Sequence, residues 1–388
     1  MPAERPDPVV PLRLRVPDAD LADLRARLRN TRWPEPEPVP DWSQGVPLAY
    51  LRELCGYWAE GHDWRRVEAR LNDAGQFRTT VDGLGVHFLH VRSAHPDALP
   101  LVLTHGWPGS VLEFLELLGP LSDPTAHCGS AADAFHVVVP SLPGYGLSDR
   151  PTGTGWGIDR TARAWAVLMD RLGYARYGAA GSDWGTSVSS VLATRDPEHV
   201  IGIHLIPPLA APDRTWDRTG AERAALAELE RRSRTESAYS EMHRTKPQTI
   251  GYGLVDSPVA LAAWIVEKLW TWSDHRGDLA EVLTADQVLD DVSLYWLTGT
   301  GASAARSYWE AYGSDAPTAG QKPLPATAIP FGFTTFPGEI WRTPRSWVEA
   351  SYPNVIYFNE VDKGGHFAAW EEPELFSSEL REAFRSLR

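Results

Sequence analysis

The sequence predicts an α/β fold with a mostly parallel central sheet, a helical lid inserted after the sixth strand, and an N-terminal arm that wraps the body. Three observations carry this. From Phe77, short apolar runs alternate with amphipathic helical stretches, the pattern of helices covering a parallel sheet. The alternation breaks at Pro207-Pro208 for a helical, aromatic block, and it resumes at ATAIPFGFTTF. The corresponding boundaries are an arm at 1–75, a first core part at 76–206, a lid at 207–320 and a second core part at 321–388.

In the arm, Leu21, Leu24 and Leu28 recur at helical spacing behind Asp18 and Asp20, which cap or favour a helix start. WPEPEPVPDW (33–42) must be extended, because each residue before a proline is pushed out of the helical region. A second helical stretch runs from about Pro47 to Glu60. The arm is too polar to form its own core. Six strands are then expected in FRTTV, GVHFLHV, PLVLTHG, FHVVVP, YARYGAAGSD and HVIGIHLI, with helices in VLEFLELL, DRTARAWAVLMDRLG and SVSSVLATRD. The lid shows helices in AALAELERR, SPVALAAWIVEKLW and SLYWL, and the last strand and helix fall in NVIYFNE and PELFSSELREAFRSL.

Composition narrows the partners. The 388 residues carry 37 basic and 51 acidic side chains, a net charge of -14 that argues against nucleic acid or an anionic membrane surface. Cys55 and Cys128 alone cannot build a disulfide framework, which fits a reducing compartment. The N-terminus MPAERPDPVVPLRLRV lacks the apolar stretch of a signal peptide, and a soluble, cytoplasmic protein is expected. Seventeen tryptophans suit core packing or the walls of an apolar pocket.

The chemistry centres on GSDWGTS (181–187). Small residues flank Asp183 at a strand-to-helix junction, the context of a nucleophile elbow, but with a carboxylate where acyl-transfer enzymes place serine. HGWPGS (105–110) follows a strand, as an oxyanion-hole loop does. Glu339 ends FTTFPGE and His366 lies in GGHFAAWEEPEL, giving the order nucleophile, acid, histidine. Asp183 also reads as a turn aspartate, and His366 as a buried structural histidine. Glu360, Asp362 and Asp213 are alternative acids. Tyr239, Tyr252, Tyr295, Tyr308 and Tyr312 read equally as core aromatics of the lid. PTGTGWG (151–157) and TGTG (298–301) lack the residues of a nucleotide loop, and no HExxH or paired Cys/His pattern suggests zinc.

Taken together, HGWPGS, SLPGYGLSD, GSDWGTS, ESAYSEMHRTKPQTIG, SPVALAAWIVEKLW, LYWLTGT, RSYWE, FTTFPGE and GGHFAAWEEPEL resemble the microsomal-type epoxide hydrolase family, in its soluble bacterial branch. The motifs span the chain, and the arm resembles this family's N-terminal extension. The resemblance implies an α/β-hydrolase fold, Asp183 as nucleophile, His366 as base and Glu339 as the carboxylate orienting it. It further implies Tyr239 and Tyr308 as epoxide-activating groups. Membrane-bound members carry an anchor not matched here.

The residue types suit that chemistry. An epoxide presents a saturated carbon, and serine attack would leave an ether that water does not readily cleave. A carboxylate leaves an ester, which activated water can attack. Tyrosine hydroxyls donate to the leaving alkoxide, and the backbone N–H groups of Trp107 and Trp184 are expected to hold the later oxyanion. The expected partners are an apolar or aromatic epoxide and water, with no cofactor, no nucleic acid and no membrane, in a chain capable of forming a homodimer. Two other readings compete: a dehalogenase, whose leaving halide needs no proton, and a ligand-binding protein that has lost turnover.

Overall fold

The structure is a computed structural model that describes residues 7–210, 218–313 and 328–388. Its frame is one nine-stranded sheet in the order β1-β2-β3-β5-β4-β6-β7-β8-β9. The strands are β1 (Val10–Pro11), β2 (Gln76–Val81), β3 (Leu84–Val91), β4 (Leu99–Thr104), β5 (Phe135–Pro140), β6 (Tyr177–Ser182), β7 (Val200–Ile206), β8 (Phe331–Thr335) and β9 (Val355–Glu360). From β5 to β9 every pairing is parallel, while β1, β2 and β3 add an antiparallel edge. Every residue of β6 is buried, which requires cover on both faces of the sheet.

Three helices, α1 (Asp18–Arg29), α2 (Leu48–Glu60) and α3 (Trp64–Asp73), build the arm. Leu21, Leu24 and Leu28 are all buried, as their spacing predicts. Asp18 and Asp20 lie inside the first turn rather than at the cap, which is Pro17. The core helices are α4 (Leu115–Ser122), α5 (Ile158–Arg171) and α6 (Trp184–Arg195). Between β7 and β8 come α7 (Gly220–Thr235), α8 (Ala238–Thr245), α9 (Pro247–Asp256), α10 (Pro258–Trp272), α11 (Ala285–Thr298) and α12 (Gly301–Tyr312). After β8 follow α13 (Arg345–Ser351), α14 (Ala368–Glu371) and α15 (Pro373–Phe384).

The six strands expected before the lid are β2 to β7. The arm supplies one more, β1, so the lid follows the seventh strand of the observed sheet. Two residues flanked by proline-rich chain carry no period-2 pattern, which is why β1 left no trace in the sequence. The arm also does more than wrap the body, since it grips the lid. Trp58 Nε1 donates to Ser293 Oγ at 2.8 Å, His62 Nε2 lies 2.8 Å from Asp290, and Trp42 stacks on Trp270 with centroids 4.0 Å apart. Each joins an arm residue to α10 or α11. Among the described residues no single helix is long and apolar enough to cross a membrane.

Candidate active site

Asp183 sits between β6 and α6 with φ 51° and ψ -117°, a left-handed backbone that a non-glycine residue rarely adopts. The flanking glycines explain how the turn closes. A Cβ on Gly185 would come within 1.8 Å of the Thr104 carbonyl oxygen, and one on Gly181 within 2.4 Å of the Gly185 backbone. A Cβ on Gly106 would meet the Asp183 carboxylate at 2.3 Å, so the HGWPGS loop also needs glycine to approach it. Thr186 Oγ1 donates to the Gly181 and Ile206 carbonyls at 3.0 and 2.8 Å, tying the turn to the ends of β6 and β7.

The two Asp183 oxygens have different partners. Oδ1 accepts the Trp107 backbone N–H at 2.9 Å, and Oδ2 lies 3.6 Å from His366 Nε2. His366 Nδ1 meets Glu339 Oε1 at 2.7 Å, and that oxygen also accepts the Ile340 N–H at 2.6 Å. His366 and Glu339 are 4% and 1% exposed, so water does not compete for these contacts. A backbone bond from Gly338 N–H to the Gly364 carbonyl at 3.0 Å clips the two loops together. Glu360 and Asp362, the nearer acids in sequence, are exposed at the end of β9 and beyond it. Asp213 lies outside the described residues. Among the described hydrogen bonds, none joins the Trp184 backbone N–H to Asp183 Oδ1.

Tyr239 on α8 and Tyr308 on α12 meet with ring centroids 5.8 Å apart. The Trp107 indole stacks on Tyr239 at 4.8 Å and 9° and stands edge-on to Tyr308 at 5.9 Å. Trp184 stands edge-on to Tyr308 at 4.7 Å. The tryptophan of the HGWPGS loop and the one that follows Asp183 therefore meet the lid tyrosines with their rings. By contrast Tyr252 is 70% exposed, and buried Tyr295 spends its hydroxyl on the Gly109 carbonyl at 2.8 Å.

Several neighbours escaped sequence reasoning. Trp272 closes α10 against His366: its ring lies 5.1 Å from the imidazole, and its carbonyl accepts the His366 N–H at 2.9 Å. His243 packs 5.0 Å from both Tyr308 and Trp107, accepts the Trp264 indole N–H at 2.9 Å, and is held down to about 3 by burial. It is a neutral wall. Its position four residues after Tyr239 on α8 was the available signal. Behind the HGWPGS loop, burial pushes the Asp291 carboxyl up to about 8, with Ser110 Oγ donating to it at 2.7 Å. A small cavity of about 30 Å³ lies beside Trp184 and Val188 and shares Pro143, Trp156 and Ser307 with an outer cavity of about 630 Å³. Among the described residues no His/Cys/Asp/Glu group could hold a metal ion.

A family profile described as the epoxide hydrolase N terminus matches residues 9–114, and one described as the alpha/beta hydrolase fold matches residues 100–237. A Stigmatella aurantiaca protein whose name assigns it to the epoxide hydrolases is 52% identical over 98% of this chain and 86% of its own length. The chain belongs to the epoxide hydrolase family. Among solved structures, the juvenile hormone epoxide hydrolase of the silkworm Bombyx mori superposes with a TM-score of 0.91 at 28% identity, covering 100% of this chain and 96% of its own. The Aspergillus niger epoxide hydrolase does so with a TM-score of 0.86 at 33% identity, over 99% and 97%. The architecture is the α/β-hydrolase fold.

Electrostatics in this epoxide hydrolase site divide the groups cleanly. Burial alone would lower the His366 pKa, but the charge of Glu339 and the nearby Asp183 carboxylate outweigh it and raise His366 well above 6.5. Burial, and then the charges around it, raise both tyrosines, so their hydroxyls are neutral donors at ordinary pH. The Asp183 carboxylate, an imidazole of raised pKa and two neutral hydroxyls thus gather among the rings of Trp107, Trp184 and Trp272.

Proposed function

We propose that the chain hydrolyses an apolar or aromatic epoxide to a vicinal diol through a covalent ester on Asp183. One observation carries this reading: both lid tyrosines pack on the tryptophans that flank the Asp183 carboxylate, Trp107 and Trp184. Asp183 Oδ2 attacks an epoxide carbon, the C–O bond breaks, and its electron pair moves to the ring oxygen. The Tyr239 and Tyr308 hydroxyls receive that charge and supply a proton. Oδ1, held by Trp107 N–H, becomes the ester carbonyl oxygen.

His366 then takes a proton from water while Glu339 fixes its tautomer and stabilises the imidazolium. Hydroxide adds to the ester carbon, and the oxyanion forms on Oδ1 against the Trp107 donor. Collapse expels the diol oxygen, which takes the proton from His366. The remaining acid proton on Asp183 returns to the tyrosinate, so atoms and charges balance. The indoles of Trp107, Trp184 and Trp272 suit an apolar substituent.

The dehalogenase reading would use the Trp184 indole N–H, which is buried without a partner, as a halide donor. The tyrosines separate the two. Removing both hydroxyls in Tyr239→Phe/Tyr308→Phe is expected to slow attack on styrene oxide by at least about 10²-fold, the usual scale for one lost transition-state donor. Stopped-flow tryptophan fluorescence of the alkylation step measures it. Full epoxide turnover in the double variant would remove the tyrosines from the mechanism, and bromide release from a bromoalkane without any diol from styrene oxide would overturn the reading.

A further inference from the structure

Lys268 is a buried lysine of the lid with two carboxylates and two aromatic rings around its ammonium. It lies on α10 and is 4% exposed, although an ammonium is costly to bury and apolar residues commonly replace such pairs without loss. Its Nζ lies 2.7 Å from Glu267 and 3.6 Å from Glu236, three residues before Tyr239. The same Nζ lies 4.9 Å from the Tyr239 ring centroid and 5.6 Å from that of Trp272. Tyr239 in turn stacks on Trp107, whose N–H holds Asp183, and Trp272 packs on His366.

We infer that Lys268 is a positioning residue for the first chemical step, holding its ammonium over the Tyr239 ring so that the phenol donates more strongly to the opening epoxide. This rests on the aspartyl-ester reading above. As the epoxide C–O bond breaks, charge leaves Asp183 and gathers on the ring oxygen. A phenol donating to that oxygen takes on phenolate character, and electron density rises in its ring. A cation over the ring face stabilises that density, most strongly where water is excluded. Burial, and after it the Asp183 charge, push the Tyr239 phenol above its ordinary value and make it a weaker acid, and of the two lid tyrosines it is Tyr239 whose ring the ammonium faces. Glu267 and Glu236 engage the ammonium, and Tyr239 rather than Lys268 is the donor in this reading.

A role confined to clamping α10 onto the end of α7 would move every step and the stability together. The inference predicts otherwise. Lys268→Met, of similar length and uncharged, is expected to slow alkylation by styrene oxide about 10-fold, the scale of a desolvated cation–π contact. Hydrolysis of the ester, which does not use Tyr239 as a donor, should stay within about 2-fold in the same stopped-flow traces. Lys268→Arg, which keeps the cation, should recover most of the loss. In a Tyr239→Phe background the Lys268→Met effect should shrink below about 3-fold, because the ring hydroxyl it acts through is gone. Equal slowing of both steps with a lowered Tm, or an undiminished effect in the Tyr239→Phe background, would overturn the inference. A wild-type protein that forms no ester would overturn the aspartyl mechanism, and the role of Lys268 with it.

Discussion

Asp183→Ala is expected to abolish diol formation, a loss on the order of 10⁶-fold in kcat by the scale of a removed hydrolase nucleophile. Among the described residues the neighbouring carboxyls do not take its place, and burial keeps Glu113 protonated. Glu339 is engaged with His366, and Asp291 is held near neutral protonation behind the loop by burial, at about 8. The loss should be chemical rather than structural, and a companion variant checks this. At φ 51° the backbone favours glycine, so Asp183→Gly should be more stable than Asp183→Ala by about 1 kcal/mol while equally inactive. Assays of diol and thermal melts of the two variants test both halves. Appreciable turnover by Asp183→Ala would contradict covalent catalysis at this position.

His366→Gln is expected to stop the cycle halfway. Attack by Asp183 does not need a base, so the variant should react with one equivalent of epoxide and gain its mass. Steady-state turnover should fall by about 10⁴-fold, as when a hydrolase loses its general base or its orientation. The geometry also fixes a pH dependence. In the free protein the charges of Glu339 and Asp183 overcome burial and keep His366 protonated well above pH 6.5. Esterifying Asp183 cancels one of those charges, so the pKa falls in the intermediate and the neutral base is released where water must be activated. The acid limb of ester hydrolysis should therefore lie below the pH at which His366 titrates in the free protein, comparing stopped-flow rates with NMR titration. Because the folded value lies above the unfolded one, this stabilisation is fully present below pH 6.5 and is lost as pH rises through the folded value. The melting advantage of wild type over His366→Gln should shrink in that direction.

The sheet and the elbow were legible because their physics is local. Parallel strands buried on both faces read as apolar runs, and Gly181 and Gly185 mark a turn that no larger residue could close. The order Asp183, Glu339, His366 likewise follows from three loops at strand ends. The lid was legible only as helical and aromatic. Which of its tyrosines meet Trp107 depends on how α8 and α12 cross, a tertiary fact to which periodicity is blind, and the family resemblance supplied the choice. Trp272, His243 and Lys268 stayed hidden for the same reason: each acts through contacts between separate helices. The grip of the arm on α10 and α11 was invisible too, since Trp42, Trp58 and His62 find partners more than 200 residues away.

The central claim is that oxygen enters the diol from Asp183 and not directly from water. A single turnover in H₂¹⁸O, with protein in excess over epoxide, tests it by mass spectrometry of both product and peptide. The attacking Oδ2 leaves in the diol, and the oxygen of water replaces it on the carboxylate. The account predicts unlabelled diol and one ¹⁸O in the peptide containing Asp183. Label in the diol of that first turnover, with an unlabelled Asp183 peptide, would contradict it.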